Sequence, residues 1–445
     1  MTPVDELVAE RAGIPLSLLT QEKLEEYQLA KLREVLFHVK EHSDFYREKL
    51  AGIMPESIRT MEDFRTLPDT SEADLAGAEW RFQCVPHGKV SRIVTVPTTG
   101  TGGKSKRLSF SEQDLENAAA FINRGFMTMH CREGERMLIF MSGGSPGSIG
   151  DQVRKAMKPL GMEIDVYGPV RDIRYAYEYM LETRPAVIEG IPWHMAALAR
   201  YGERYGNPES AFIRSVNLSA DTVPESVVQR LKKLWDCTVH IHYGMTEMCI
   251  FGGVECECRE GIHLRGSDMI YEIPDPDENG CGEILITTLD RDAMPLIRYR
   301  TGDIGRMTDE PCGCGCRLRR IERIFGRKSD TVSIKDGRTW FTMLAGALYA
   351  IPAVIDFDAE LRSDSAVKDH KGTGTVLYIT VRTLPGDRVE SAEIVGALMD
   401  IPSLGPVLRE GENLFVFREE TETFPTGYNL KKKVRRTLRE AESCG

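Results

Sequence analysis

Small residues, hydroxyl groups and a lysine lie side by side at residues 98–104, directly after a β-like run of the chain. Backbone N–H groups in such a loop can approach phosphate oxygens, and the hydroxyl and ammonium groups add further donors. The loop predicts a phosphate site; the alternative is a solvent-exposed hairpin turn, where Gly and Thr are also common. The loop consists of Thr98, Thr99, Gly100, Thr101, Gly102, Gly103 and Lys104.

The spacing in this loop excludes two familiar nucleotide-binding motifs. A Walker A loop has a glycine six residues before its lysine, and Thr98 stands at that position. The dinucleotide fingerprint, counted from Gly100 and Gly102, would need its third glycine at Ser105. The loop must therefore be judged together with motifs elsewhere in the chain.

Residues 242–247 follow a strand-like run and carry an aromatic, a hydroxyl and a carboxylate group. At the carboxyl end of a strand these groups would face the crevice where α/β sheets bind ligands. Tyr243, followed by Gly244, could stack on a base; Thr246 could bond a phosphate, and Glu247 could hold Mg²⁺. The alternative is an ordinary strand-to-loop turn.

Two further residues offer nucleotide-binding chemistry. Asp303 follows Gly302, and a carboxylate after a tight glycine turn can accept hydrogen bonds from both hydroxyls of a ribose. The alternative for Asp303 is a surface turn. Arg327 offers a permanently charged, fork-shaped donor at the point where the pattern of predicted helices and strands changes.

The elements that must position these residues alternate along the chain. Between about residues 84 and 300, short apolar runs such as 137–140, 186–188, 239–241 and 283–287 alternate with helix-like segments such as 225–234. This alternation is typical of a mixed or parallel sheet covered by helices. Residues 21–50 have the spacing of one amphipathic helix.

After Arg327 the pattern changes to that of a small α+β unit of about 120 residues. Helices are expected at 343–349 and 392–399, strands at 376–382 and 413–417, and a basic helix-like stretch at 431–436. We therefore predict an α/β protein with domains at residues 1–326 and 327–445.

Composition limits the classes of partner. The chain has 445 residues, of which 41% are apolar, and 57 basic against 68 acidic residues give a net charge of −11. This balance disfavours a general nucleic-acid binder or an anionic membrane as partner. The first residues lack the apolar region of a secretory signal. We expect a cytoplasmic protein with small-molecule partners and leave open whether it forms a homodimer.

Six of the eleven cysteines lie between residues 256 and 316, together with His263. Without an export signal, this clustering favours thiols or a metal over a disulfide framework. Thiolates and imidazole are the ligands that Zn²⁺ prefers, usually four in a tetrahedron. The spacing predicts a closed structural zinc site, with reduced thiols as the alternative. A zinc-organised nucleic-acid module around the basic run 317–323 is disfavoured by the acidic surroundings.

In sequence order, these motifs resemble the signature set of the adenylate-forming enzymes, the acyl-CoA synthetase superfamily. The set is the hydroxyl-and-glycine loop, Tyr-Gly-x-Thr-Glu, Arg-Tyr-Arg-Thr-Gly-Asp and Gly-Arg-x-x-Asp. The chain is most similar to the phenylacetate–CoA ligase branch, and the likeness includes residues 42–47, 58–68 and 293–300. It implies a large adenylation domain followed by a small mobile lid domain.

The resemblance also implies roles for individual residues. Residues 98–104 would grip the ATP β- and γ-phosphates, and Ser219, Ala220 and Asp221 would lie beside the adenine. A lysine near the C-terminus would contact the acyl carboxylate and the α-phosphate; counting from Pro425 favours Lys431, with Lys432 and Lys433 as alternatives. Ser329 stands where the family usually has a hinge Asp or Lys. The implied zinc ligands are Cys256, His263, Cys312 and Cys314, for which Cys258 or Cys316 could substitute.

The implied reaction has two steps. A carboxylate attacks the α-phosphate of ATP and expels pyrophosphate, and then a thiol, CoA, displaces AMP. Mg²⁺ on Glu247, the threonine loop and the lysine would neutralise charge in the first step. The implied substrate is an aryl acid in a pocket lined by residues 141–149, 188–193 and 219–221. The alternatives are an adenylylating enzyme without a thiol acceptor, as in relatives acting on a deazaflavin coenzyme, and a silent zinc-stabilised nucleotide-binding protein.

Overall fold

The computed structural model describes residues 1–97, 105–143, 147–206, 212–334, 337–364, 374–409, 414–424, 432 and 435–437. The predicted phosphate loop at 98–104, residues 144–146 of the predicted acid pocket, Pro425, Lys431 and Lys433 lie outside these residues. Helices are α1 (Pro3–Ala12), α2 (Gln21–His42), α3 (Asp44–Lys49), α4 (Met61–Arg65), α5 (Glu72–Leu75), α6 (Glu112–Thr128), α7 (Ile149–Met157), α8 (Ile173–Thr183), α9 (Pro192–Tyr205), α10 (Glu225–Trp235), α11 (Phe341–Ala350), α12 (Ser391–Met399) and α13 (Gly405–Arg409).

The strands are β1 (Arg92–Pro97), β2 (Ser105–Phe110), β3 (Arg136–Phe140), β4 (Glu163–Val166), β5 (Val187–Gly190), β6 (Ser215–Leu218), β7 (Thr238–Tyr243), β8 (Gly253–Glu255), β9 (Ile262–Leu264), β10 (Met269–Glu272), β11 (Cys281–Thr288), β12 (Tyr299–Thr308), β13 (Arg320–Arg327), β14 (Thr331–Ile334), β15 (Gly337–Trp340), β16 (Val354–Asp364), β17 (Gly374–Thr383), β18 (Leu414–Glu420) and β19 (Arg435–Thr437). The chain is thus a mixed α/β protein, as predicted.

Two compact units divide the chain. The first comprises Met1–Gly134, Ser145–Met162 and His240–Ile324, and the second Glu135–Gly144, Glu163–Val239 and Phe325–Gly445. Each unit is assembled from separate stretches, whereas the predicted domains are continuous. The predicted boundary between residues 326 and 327 therefore stays a prediction.

Strand order in the first unit is β10-β11-β12-β13-β9-β8-β7. Antiparallel hairpins set much of the register: Met269 pairs with Thr288, and Val254 pairs with His263. Strands β1 and β2 form a separate antiparallel hairpin that the predicted phosphate loop connects. Fully buried aromatic side chains fill the core; they include Tyr46, Phe64, Phe82 and Tyr299.

The single helix predicted over residues 21–50 is wrong in one respect, because Ser43 divides it into α2 and α3. Ser43 adopts an extended backbone, and its hydroxyl accepts a hydrogen bond from the N–H of Tyr46 at 3.2 Å. Ser at an N-cap satisfies an otherwise unpaired N–H group of the following helix. The apolar spacing continues across the break, so periodicity alone did not reveal it.

Parallel pairing dominates the sheet of the second unit, in the order β6-β5-β3-β4. Ile139 lies opposite Glu189, which lies opposite Asn217. Parallel neighbours need long crossover connections, usually helical, and α8, α9 and α10 follow strands of this unit. The predicted alternation of short apolar strands and helices is confirmed here.

The last part of the second unit has a four-stranded sheet in the order β18-β17-β16-β19, with α11 and α12 at the predicted places. The helix-like prediction for 431–436 is wrong at residues 435 and 436, which lie in strand β19. Residues 435–437 pair parallel to β16, with Leu361 opposite Arg436. Pairing with a distant strand overrides the local helical preference there. Among the described residues, no helix is long and apolar enough to cross a membrane.

Candidate functional site

Two predicted nucleotide-binding residues meet in the first unit. Tyr243 ends β7, and its hydroxyl donates a hydrogen bond to Asp303 Oδ2 at 3.0 Å. Burial, followed by the charge of Asp303, raises the pKa of Tyr243 well above its ordinary value. The hydroxyl therefore stays protonated and holds the carboxylate in one orientation. Residues 60 positions apart in the chain are brought together in this way.

Asp303 does not follow a tight turn, and that prediction is corrected by the structure. It lies inside β12, where Arg300 pairs with Leu285 and Ile304 with Glu283, so three residues stand opposite Ile284. Gly302 adopts φ of +76° in this bulge, a conformation that glycine reaches without strain. The bulge changes the direction in which Asp303 is presented.

Gly244 in the same segment has a steric role. A Cβ atom at this position would lie 1.9 Å from the carbonyl oxygen of Ile250, a separation that no side chain tolerates. The chain can then enter the single turn of Thr246–Met248. Thr246 is half-buried and Glu247 is buried.

Glu247 has partners that the sequence did not reveal. Its carboxylate forms an ion pair with Lys106 and accepts a hydrogen bond from the Tyr299 hydroxyl at 3.0 Å. The Lys106 ammonium also lies 2.9 Å from Glu72 Oε1 and 3.2 Å from the Tyr299 oxygen. The one available signal was that Lys106 lies two residues beyond Lys104, at the start of a β-like run.

Both members of this ion pair are charged. Burial alone would raise the pKa of Glu247, but the Lys106 charge and hydrogen bond outweigh it, and the pKa of Glu247 is lowered. Burial would likewise lower the pKa of Lys106, but the charge of Glu247 and the hydrogen bond to it outweigh burial, so the pKa of Lys106 is raised. A carboxylate already bonded to an ammonium group does not fit the direct magnesium ligand expected at Glu247.

A second set of predicted residues meets within the second unit. Ser219, Ala220 and Asp221 follow β6, and Ala220 adopts φ of +72°, a region that favours glycine. Asp221 accepts hydrogen bonds at 2.7 Å from the backbone N–H groups of both Thr222 and Lys432. The structure therefore brings one of the three candidate lysines to the predicted adenine loop.

The side chain of Lys432 is also engaged. Its ammonium group donates to the carbonyl oxygen of Phe357 at 2.5 Å and forms an ion pair with buried Asp356. The same nitrogen lies 5.3 Å from the centre of the Trp193 ring. Sequence reasoning missed Asp356, since nothing in the local pattern of β16 distinguishes it.

Arg327 lies at the end of β13 and is half-buried. Gly326 before it has φ of +137°, which side-chain-bearing residues rarely adopt. Beyond Arg327 the chain makes one turn over Lys328–Asp330, where the Ser329 hydroxyl donates to Asp330 Oδ1 at 3.1 Å. The predicted hinge thus coincides with the end of a strand.

The four proposed zinc ligands lie together in the first unit. Cys256 follows β8, His263 lies in β9, and Cys312 and Cys314 belong to the turn between β12 and β13. The ligand atoms of these four side chains all lie within 4.8 Å of one another. Pairing of Val254 with His263 across the β8–β9 hairpin brings the first two together.

The spacing of these atoms fits a tetrahedral zinc ion. Zn–S bonds of about 2.3 Å and Zn–N bonds of about 2.0 Å place two sulfurs about 3.8 Å apart, and a sulfur and a nitrogen about 3.5 Å apart. The Cys256 and Cys312 sulfurs are 3.6 Å apart, and Cys314 Sγ lies 3.7 Å from His263 Nε2. The residues present therefore fit the ion.

Asp5 orients the histidine of this cluster. His263 Nδ1 lies 3.1 Å from Asp5 Oδ1, and both side chains are buried. Zinc-ligating histidines usually bond a carboxylate through the nitrogen that faces away from the metal. Asp5 Oδ2 accepts hydrogen bonds from the N–H and hydroxyl of Thr2 in the capping box of α1. Nothing in the sequence connected Asp5 with residues 256–316.

The cysteine pKa values show which thiols already favour the thiolate form. Burial opposes ionisation of Cys314, but hydrogen bonding to His263 lowers its pKa to about 6. The pKa of Cys256 is lowered by the same histidine against burial. Burial raises the pKa of Cys312 to about 12. Cys316 lies beside Asp5 at 3.3 Å and is not part of the four-residue group.

No protein-family model matches the chain. It is 30% identical over 358 residues to phenylacetate–coenzyme A ligase of Thermus thermophilus, covering 76% of this chain and 78% of the relative. It is 25% identical to the enzyme of the same name from Pseudomonas putida over 343 residues, covering 74% of this chain and 76% of that relative.

Structural comparison agrees on the fold. The crystal structure of 2-hydroxyisobutyryl-CoA ligase in the postadenylation state matches with a TM-score of 0.75 at 18% identity, covering 94% of this chain and 89% of that one. The resemblance drawn from the ordered motifs is therefore confirmed. The chain belongs to the phenylacetate–CoA ligase family, the acid–CoA ligases among the adenylate-forming enzymes.

Proposed function

We propose that this chain activates an aryl carboxylic acid of the phenylacetate type with ATP and transfers the acyl group to CoA. The observation that carries the proposal is the 30% identity to a phenylacetate–CoA ligase over 358 residues. The hydrogen bond between Tyr243 and Asp303 supports it, because it prepares a carboxylate for ribose hydroxyls beside an aromatic ring.

In the first proposed step, a carboxylate oxygen of the acid forms a bond to the α-phosphorus, and the bond to pyrophosphate breaks. Asp303, Tyr243 and Thr246 orient the nucleotide, and Lys431 neutralises charge at the reacting oxygens. In the second step, the CoA sulfur attacks the acyl carbon, and AMP leaves. We assign residues 327–445 to the mobile lid that separates the two steps.

We assign structural zinc to Cys256, His263, Cys312 and Cys314. The four ligand atoms offer a closed set, and catalytic zinc sites keep one position open. A zinc ion here supplies a cross-link between the β8–β9 hairpin and the turn before β13. It takes no part in the acyl transfer.

The proposal is tested by pyrophosphate release from ATP and Mg²⁺ across a panel of aryl and short aliphatic acids, with and without CoA. We expect one aryl acid to stimulate release and its CoA thioester to appear when CoA is added. Asp303→Asn is the matched control: it keeps the shape and loses the charge that binds ribose, so the ATP KM should rise.

Other outcomes lead to different functions. Pyrophosphate release that CoA leaves unchanged, with no thioester, supports adenylylation without a thiol acceptor. Stimulation only by aliphatic acids contradicts the aryl assignment and keeps the ligase activity. Nucleotide binding without turnover on any acid supports a silent nucleotide-binding protein.

A further inference from the structure

Lys106 is a buried cation in contact with Glu247, the residue that was predicted to hold Mg²⁺. The side chain of Lys106 is 6% exposed and that of Glu247 2% exposed. An ammonium group has three hydrogens to donate, and Lys106 has three partners: Glu247, Glu72 at 2.9 Å and the Tyr299 oxygen at 3.2 Å. Its donors are therefore satisfied within the protein.

The elements around the pair hold it in place. Lys106 lies in β2, and its backbone pairs with Val96 of β1. Tyr299 at the start of β12 is fully buried and donates to Glu247 Oε1 at 3.0 Å. Displacing the ammonium group would separate the buried charges of Lys106 and Glu247, which is costly in a protein interior.

A metal ligand role for Glu247 requires that its carboxylate be available to a hydrated dication. Here that carboxylate contacts the ammonium group of Lys106, and a second carboxylate, that of Glu72, lies 2.9 Å from the same nitrogen. The Lys106 ammonium group thus occupies a set of three oxygen-bearing side chains that could otherwise ligate a metal ion: the carboxylates of Glu247 and Glu72 and the phenol of Tyr299.

We propose that Lys106 is the resident cation of this site, so that Glu247 positions Lys106 and does not ligate Mg²⁺. This inference rests on the proposed function only in that ATP is the molecule that would bring Mg²⁺. Mg²⁺ brought by ATP would then be held by oxygens other than those of Glu247. Lys106 supplies at Glu247 the positive charge that the expected metal ion would have supplied.

The test is Mn²⁺ binding to the zinc-loaded, nucleotide-free chain, followed by electron paramagnetic resonance. Mn²⁺ prefers the same oxygen ligands as Mg²⁺. We compare the wild type with Lys106→Ala, Lys106→Arg and the double variant Lys106→Ala/Glu247→Gln. Lys106→Ala should gain one Mn²⁺ site at least about tenfold tighter than any in the wild type, since a unit positive charge has left the two carboxylates.

Two controls define the site. Lys106→Arg keeps the positive charge and should gain no Mn²⁺ site, and the double variant should lose the site gained by Lys106→Ala. A second readout is thermal: Mn²⁺ should raise the Tm of Lys106→Ala and leave that of the wild type unchanged. A folded Lys106→Ala variant that gains no site overturns the proposal.

The wild type decides the case even where Lys106→Ala fails to fold. Mn²⁺ bound by the wild type and lost in Glu247→Gln overturns the assignment, whereas equal binding by these two supports it. These measurements need neither nucleotide nor acid. A failure of the ligase activity would therefore leave their outcome intact, and the two results can be separated.

Discussion

At the scale of single residues, the C-terminal lysines differ in what they can do. Lys432 is engaged twice: its N–H group bonds Asp221, and its ammonium group bonds the carbonyl of Phe357 and pairs with Asp356. A cation held by a buried carboxylate is poorly placed to move onto a substrate. We therefore expect Lys432 to hold the C-terminal segment in place, and Lys431 stays the proposed adenylation lysine.

Lys431→Ala should slow acyl-adenylate formation by about 10²–10³-fold, the usual effect of removing one preorganised group from a developing charge. Thioester formation from a supplied acyl-adenylate should be unaffected. Lys432→Ala should instead lower the free energy of unfolding by about 1–3 kcal/mol, because buried Asp356 loses one cationic partner and keeps Arg382 at 3.1 Å. Single-turnover assays and urea denaturation separate the two effects.

The matched control for Lys432→Ala is Lys432→Arg, which keeps the charge and should keep most of the stability. A Lys432→Ala variant that remains as stable as the wild type but no longer forms acyl-adenylate would contradict the assignment. In that case Lys432 would be the adenylation lysine, and its contact with Asp356 would be broken during the reaction.

At the scale of elements, helix α1 is tied to the cysteine-rich strands through one carboxylate. Asp5 uses Oδ2 for the capping box of α1 and Oδ1 for His263 in β9. Burial would raise the pKa of Asp5, but its hydrogen bond and charge interaction with His263 lower it. The carboxylate is thus ionised and fixes the ring nitrogen that faces the sulfurs.

Asp5→Asn should weaken zinc binding by about 10–100-fold, the usual effect of removing an outer partner of a ligating histidine. The measurement is competition with a chromogenic zinc chelator. Thr2→Ala is the control, since it weakens the cap of α1 by about 0.5–2 kcal/mol and leaves the contact with His263. Equal zinc affinity in Asp5→Asn and the wild type would show that Asp5 serves the helix alone.

Local sequence predicted element types better than element ends. The helix over 21–50 was predicted from its apolar spacing, and the break at Ser43 was missed because a cap changes one residue without disturbing that spacing. A helix was predicted at Arg435 and Arg436, yet these residues pair with β16 and form a strand. Long-range pairing decides such cases.

At the scale of the whole molecule, the four proposed zinc ligands all belong to one of the two compact units. A structural zinc ion contributes its binding free energy to the folding of the region that holds it. The two units should therefore respond differently to the removal of zinc.

Chelation should speed amide hydrogen exchange in residues 3–12, 253–264 and 308–321 and leave residues 163–205 of the second unit nearly unchanged. Hydrogen exchange followed by mass spectrometry resolves these segments, because exchange reports local opening. Adding zinc back is the control and should restore the slow rates. An equal acceleration in both units would contradict a local role for the metal.

Residue types and their order along the chain were enough to identify the class of chemistry and to name candidate residues for it. The order of the glycine, hydroxyl and carboxylate motifs along the chain identified the family. Closely spaced thiols and an imidazole have few roles other than metal binding, and they indicated a candidate ligand set. Residue type and spacing are local properties, and a sequence displays them directly.

Which of these residues meet is seen in the folded chain alone. His263 joins Asp5 across 258 residues, and Asp221 joins Lys432 across 211. Lys106 was left without a role until the structure placed its ammonium group on Glu247. Such contacts depend on how strands pair and which side chains become buried together. No local pattern encodes them, because the partners have no fixed separation along the chain.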